Sequence, residues 1–311
     1  MRSGILLLFS LFTFAITTNS QQVTRPSVVI VRSGSLKLRA LLYRPKGRGP
    51  FPAVLFCPGS GQPPSPNALG RLFAQHGYVF LALYRSGQGL SSTQGEESAA
   101  VVTRERTSKG DDAANQLQLK LLEGEQLDEE RNGLAVLRSL PGVDSRRVAI
   151  VGHSFGGSLA LVLAAEDPHI RAVISFGGAA GSWVRSSYLR ESLTSAVRKL
   201  ASPVFFVYVE NDYSTAPGTA LDAEMASQGK THLLKIYPPF GRTPSEGHGI
   251  IYLSMGAWEH DVFDFLHEHL TSTAQSSLRR SAMFIGTEKK KRHSGRSAMS
   301  ARRNLVHASN S

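Results

Sequence analysis

The stretch Val148-Ala149-Ile150-Val151-Gly152-His153-Ser154-Phe155-Gly156-Gly157-Ser158-Leu159-Ala160 constrains this chain more than any other. A β-branched apolar run stops at Gly-His-Ser-Phe-Gly, and a small-residue helical pattern follows at once. The local physics predicts a strand, a sharp turn and a helix. Such a turn holds its central residue in a poorly populated backbone region, and neighbouring Cβ atoms would crowd it, hence the flanking glycines. It lifts the Ser154 hydroxyl out of the sheet. It also sets the Phe155 amide at a helix N-terminus, where that amide can face developing negative charge. With 29 glycines among 311 residues, the Gly-x-Ser-x-Gly spacing alone says little; the strand before it and the helix after it carry the reading.

The rest of the chain fits around that unit. Val28–Arg32 and Leu36–Tyr43 have strand composition and are joined by Ser33-Gly34-Ser35, which predicts an antiparallel hairpin at a sheet edge. Ala53–Phe56, Tyr78–Leu83, Ile170–Ser175, Pro203–Glu210 and Leu233–Tyr237 are short apolar runs of the kind that suit buried parallel strands. Helical spacing separates them: Leu69, Leu72 and Phe73; Asp111–Leu140, with Gly124 as a break; one or two small helices in Trp183–Leu200; and about Thr219–Ser227. Trp258–Leu270 closes the unit as an amphipathic helix, with Val262, Phe265, Leu266 and Leu270 inward. This alternation predicts an α/β fold, a mostly parallel central sheet with helices on both faces. Ligands then sit outside the carboxyl ends of the strands. The positions to watch are Ser60, Arg85, Ser154, Asp212 and the loop around His248.

Composition bounds the alternatives. Met1-Arg2 followed by an apolar run from Ile5 to Ile16 predicts a cleavable secretory leader over residues 1–20. The run is short for a membrane span, so no stable span is expected in the mature chain, which would be secreted or periplasmic. Cys57 is the single cysteine, so stability rests on a core over residues 22–273 and not on disulfides. The formal charge of +11 is concentrated at the C-terminus. From Thr271 onward nine Lys/Arg stand against one acid, Glu288, which accounts for eight of those charges. Residues 274–311 therefore read as a basic, Ser-rich disordered tail. The near-neutral remainder carries no nucleic-acid signature, and nothing in the sequence sets an oligomeric state.

A serine hydroxyl needs a base. Of ten histidines, His248 lies between glycines in a loop that follows the last strand and precedes the last helix. Its order after a serine and an acid is that of a hydrolytic triad. His260, His267 and His269 fall on a surface helix, and His76 and His169 at helix ends. His153 adjoins the serine but should point away from its hydroxyl. The orienting carboxylate is expected to be Asp212, directly after strand 203–210; Glu210 competes but should still lie within the strand. The oxyanion donors are expected to be the amides of Phe155 and of Ser60, with Gly59 second, since Pro58 has no amide hydrogen. Arg85, in a Gly-rich loop, is either a binder of an anionic substrate group or a solvated loop residue. Cys57 reads as a small buried residue.

From about Val28 to Leu270 the chain resembles an α/β-hydrolase of the dienelactone hydrolase-like branch, which is similar to the catalytic domains of prolyl oligopeptidase-type peptidases. The matching stretches are Phe56-Cys57-Pro58-Gly59-Ser60-Gly61, Gly152–Gly157, Asn211-Asp212 and Gly247-His248-Gly249. The chain departs from the pattern in two places. Dienelactone hydrolases proper carry Cys at the elbow, where this chain has Ser154, and Pro58 stands where relatives often have His. Both departures favour an ordinary serine esterase acting on a small-molecule ester or acyl substrate, with no cofactor or metal. A peptidase or amidase would use the same residues, and a secreted binding protein could keep the fold without turnover. The insert 177–202 is short, so the lid is expected to be small or absent.

Overall fold

The computed structural model describes residues 25–271; the expected leader, residues 1–20, and tail, 274–311, lie outside the described residues. Eight strands form one sheet: β1 (Ser27–Ser33), β2 (Leu36–Tyr43), β3 (Phe51–Cys57), β4 (Val79–Tyr84), β5 (Val143–His153), β6 (Ala172–Phe176), β7 (Val204–Val209) and β8 (His232–Tyr237). Their spatial order is β1-β2-β4-β3-β5-β6-β7-β8. The edge hairpin β1–β2 is antiparallel, as is its pairing with β4, and all later pairings are parallel.

The helices are α1 (Asn67–Gln75), α2 (Ser98–Lys109), α3 (Asp111–Glu123), α4 (Glu125–Ser139), α5 (Phe155–Glu166), α6 (Ser187–Lys199), α7 (Ala216–Ser227), α8 (Pro244–His248), α9 (Ile250–Leu253) and α10 (Met255–Leu270). Alternate strand residues divide the core. Ala53, Leu55 and Cys57 of β3 face the layer built by α3 to α7. Val54 and Phe56 face the layer built by α1 and α10. Burial on both faces explains why the central strands read as continuous apolar runs with no alternation.

Topology fixes where the site must be. From β3 the chain moves outward to β4, then crosses back to start β5 on the other side of β3 and continues to β6, β7 and β8. Beyond the carboxyl ends of β3 and β5 the connecting loops diverge, which opens a crevice. Register places Cys57 opposite Gly152, so the loop after β3 and the turn after β5 are neighbours.

Two elements differ from the sequence-based expectation. The segment between the Gly-rich loop and Asp111 is the helix α2, in which only Ser98 and Val102 are buried. So thin an apolar contact leaves almost no period to read. His248 closes a one-turn helix, α8, and does not sit in an open loop. Thr243 caps that turn by accepting from the Glu246 amide, and the Glu246 carboxylate accepts from the Thr243 amide.

Helix α10 holds the His248 segment from below. Trp258 is fully buried, packs edge-on against Phe176 at 5.2 Å, and donates its indole N–H to the Ile250 carbonyl at 3.2 Å. Trp258→Ala should lower the unfolding free energy by about 3–5 kcal/mol through the cavity and the orphaned carbonyl. Urea unfolding checks this, and an unchanged midpoint would show that α10 is dispensable to the core.

Candidate active site

The turn after β5 has the strained geometry that its sequence predicts. Ser154 adopts φ 57° and ψ −121°, and only it and Ala179 among described non-glycine residues have positive φ. Three backbone hydrogen bonds hold it there: the Ser154 amide donates to the Phe176 carbonyl at 2.8 Å, and the Gly157 and Ser158 amides donate to the Ser154 carbonyl. A Cβ on Gly152 would collide with the Gly156 carbonyl, and one on Gly156 with the carbonyls of Cys57 and Pro58. The glycines thus let the turn close and also let the loop after β3 press against it. Gly59 lies so near that a Cβ there would be 3.5 Å from Ser154 Cβ.

Asp212 and His248, the acid and base expected from the sequence, come from the other half of the sheet. Asp212 follows β7, with its amide bonded to the Val209 carbonyl at 2.9 Å. Its Oδ1 lies 2.8 Å from His248 Nδ1 and also accepts from the Tyr213 amide at 2.6 Å. The pair is largely shielded, with the Asp212 side chain 2% exposed and His248 12%. With Nδ1 committed to Asp212, Nε2 is the nitrogen left for proton exchange. Glu210, the competing acid, is exposed just past the strand, and Asp144 pairs with Arg147 at the start of β5.

Ser154, His248, Phe155 and Ser60 line one cavity of about 220 Å³. Its far walls come from α2, α3 and the segment before α6, so the cover over the site is contributed mainly by the helices after β4, together with the short 177–202 insert. The amides of Gly59, Ser60 and Phe155 have no acceptor among the described residues. Three unpaired N–H groups beside one serine form a site suited to an oxyanion.

Arg85 requires a correction. It is neither in the cavity nor in solvent. Its side chain is fully buried and runs under the loop after β3. Nη1 donates to the Pro58 carbonyl at 3.0 Å and to Glu130 Oε1 at 2.9 Å, Nη2 to the Gly59 carbonyl at 2.7 Å, and Nε to Gln126 Oε1 at 2.7 Å. Glu130 and Gln126 lie on α4, whose distance in sequence hides the partnership. Burial pushes the Glu130 carboxyl up to about 7, with Arg85 pulling the other way. Burial, and then Glu130, push the Cys57 thiol well up, which leaves it a packed apolar residue with no thiolate character.

Three residues at the site carry little sequence signal. Gly177, at φ 55°, underlies the acid–base pair: a Cβ there would sit 2.8 Å from His248 Nδ1 and 2.9 Å from Asp212 Oδ2. Asn211 ties the two loops together. Its amide group bonds both the N–H and the C=O of Phe240 at 2.9 Å, and Gly247 packs on it. His153 is buried, and its Nε2–H donates to the His248 carbonyl at 2.9 Å. The rings lie 4.7 Å apart. Burial, then the neighbouring His248, hold the His153 imidazole down at about 3.

That last shift predicts a pH dependence. Below its ordinary value of 6.5, His153 takes a proton in the unfolded chain but not in the folded one, down to about pH 3. Stability is therefore fully present above 6.5 and lost as pH falls, by up to about 1.4 kcal/mol per pH unit from this group. His153→Gln keeps an N–H for the His248 carbonyl and removes the titration. Between pH 6.5 and pH 5 the variant should lose about 2 kcal/mol less than the wild type in urea unfolding. Equal losses would contradict the assignment.

Comparisons with known proteins show the family and the fold. The family model described as the dienelactone hydrolase family matches residues 38–246. Esterase FrsA of Escherichia coli O157:H7 is 31% identical over 147 residues, 46% of this chain but 29% of that protein. Esterase FrsA of Citrobacter koseri is 31% identical over the same length, with the same coverage. The chain therefore spans under a third of the curated relatives it matches. Among solved structures, the acylaminoacyl peptidase of Pyrococcus horikoshii superposes with a TM-score of 0.59 at 16% identity, over 81% of this chain and 43% of that one. A dienelactone hydrolase-like promiscuous phosphotriesterase from metagenomic libraries superposes with a TM-score of 0.57 at 18% identity, over 80% of this chain and 99% of that one. At these identities the structural likeness establishes the fold.

Proposed function

The chain belongs to the dienelactone hydrolase family, and from that premise we propose that it is a serine hydrolase which cleaves carboxylic esters through an acyl-enzyme intermediate. The observation that carries this reading is the pairing of His248 with Asp212 at 2.8 Å on the wall of the same cavity as a serine strained to φ 57°. Ser154 Oγ attacks the ester carbonyl carbon while His248 Nε2 accepts its proton. Asp212 fixes the imidazole tautomer and stabilises the imidazolium. The Phe155 and Ser60 amides hold the tetrahedral oxyanion. His248 then protonates the leaving alcohol, and a water, deprotonated in turn by His248, releases the acyl group and restores Ser154.

The cavity of about 220 Å³ suits a compact acyl group. The acylaminoacyl peptidase likeness raises amide substrates as the rival, since the same residues would serve. A panel of p-nitrophenyl esters beside aryl amides separates the two; faster turnover of the amides would move the assignment to a peptidase. A fluorophosphonate should label the wild type and fail to label Ser154→Ala and His248→Ala. Asp212→Asn should lose on the order of 10⁴ in kcat. Folded wild type that resists labelling would favour a binding protein that has kept the fold.

The same proposal includes export. Arg2 followed by the apolar run Ile5–Ile16 supports removal of residues 1–20 and a secreted or periplasmic enzyme. N-terminal sequencing of protein recovered from a bacterial periplasm tests this, and a retained Met1 would refute it.

A further inference from the structure

We propose that Arg85 and Gln88 are positioning residues that aim the Ser60 amide at the oxyanion, an inference that rests on the esterase reading above. The loop they act on is weak by itself. Pro58 has no N–H, and Gly59 and Gly61 flank Ser60 without side chains to restrict their dihedrals. Such a loop turns its peptide planes at little cost, and an oxyanion donor pointing the wrong way does nothing for the reaction.

The underside of the loop is clamped. The Gly59 carbonyl receives two donors, Arg85 Nη2 and Gln88 Nε2, each at 2.7 Å. Arg85 Nη1 holds the Pro58 carbonyl at 3.0 Å and Gln88 Nε2 the Gly61 carbonyl at 2.8 Å. Gln88 is 1% exposed, and its Oε1 accepts from the Arg85 backbone amide at 3.3 Å, so the Arg85 main chain holds the Gln88 side chain in place. Glu130 balances the guanidinium charge in the interior, at 2.9 Å.

Peptide planarity converts this clamp into an aim. In a trans peptide the C=O and the N–H that follows it point in opposite directions. A Gly59 carbonyl fixed toward Arg85 and Gln88 therefore turns the Ser60 N–H away from them, and the Pro58 carbonyl does the same for the Gly59 N–H. The side away from them is the cavity, which Ser60 shares with Ser154. Both amides are unpaired among the described residues. A carbonyl that accepts from a cation also polarises its own peptide unit and makes the Ser60 N–H a stronger donor. The guanidinium carbon is 5.6 Å from the Phe155 ring centroid, so the side chain that holds the Pro58 and Gly59 carbonyls also faces the Phe155 ring.

Removing the clamp should affect the transition state and spare the ground state. Gln88→Met keeps the volume and deletes both side-chain N–H donors with no change of charge. Arg85→Lys keeps a cation beside Glu130 but offers one compact ammonium in place of the planar fork. Activity is measured per active site, titrated with the fluorophosphonate. Gln88→Met should lower kcat for a p-nitrophenyl ester by roughly 10- to 100-fold, a fraction of the loss seen when one oxyanion donor is deleted. KM should stay within about two-fold. Affinity for a phenylboronic acid, which places an anionic oxygen in the hole, should fall in parallel with kcat. Arg85→Lys should show the same pattern, and its loss guards against an unstable Gln88 variant being misread. Wild-type kcat per titrated site in both variants would overturn the inference and leave the esterase reading intact. So would unchanged boronate affinity beside a lost kcat. A wild type that neither turns over esters nor takes the fluorophosphonate would remove the esterase reading, and this inference with it.

Discussion

The closeness of two backbone segments governs everything else at this site. The turn after β5 and the loop after β3 touch through bare main chain, with Gly156 against the carbonyls of Cys57 and Pro58. Register between the two strands sets up the meeting, and the missing side chains permit it. The strain in Ser154 persists because the surrounding strands, the α5 N-terminus and the Phe176 carbonyl over-determine it. Remove that contact and the serine, its neighbouring amides and the loop that would complete the oxyanion site lose their common frame.

The second half of the site is assembled by the same economy. Gly177 allows the His248–Asp212 pair to settle onto the end of β6. Asn211 spans the two loops that carry the pair, and His153 bonds the His248 backbone from beneath. Ser154 follows β5, Asp212 follows β7 and His248 ends α8 after β8, and hydrogen bonds to main chain brace all three. Precision in this active site derives from backbone contacts first and from side-chain packing second.

Much of this was legible in the sequence because the signals are local. The run Val148–Val151 with its glycine-bounded turn announces a strand and a helix without reference to anything distant, and Asp212 is readable from its place directly after an apolar run. The β1–β2 hairpin and the helix break at Gly124 follow in the same way. What escaped depends on partners remote in the chain. Arg85 looked solvent- or ligand-facing because Gln126 and Glu130, the groups that bury it, lie about 40 residues away. Helix α2 offered almost no apolar period, since only one hydrophobic residue on it, Val102, is buried. The sequence sets His153 beside Ser154 and no more, since its bond to the His248 carbonyl depends on how two loops pack.

Helix α2 differs from the groups it covers in how it is fastened. The reactive groups are riveted to the sheet, whereas the wall opposite them rests on a single buried valine and a few polar ties, among them Ala99 and Ser98 to the Ser60 carbonyl. Apart from Ser98 and Val102, residues on its inner side can therefore be exchanged at small thermodynamic cost and without disturbing Ser154 or His248. A scaffold divided in this way is free to reshape the wall of its cavity while the groups seated on the sheet stay fixed.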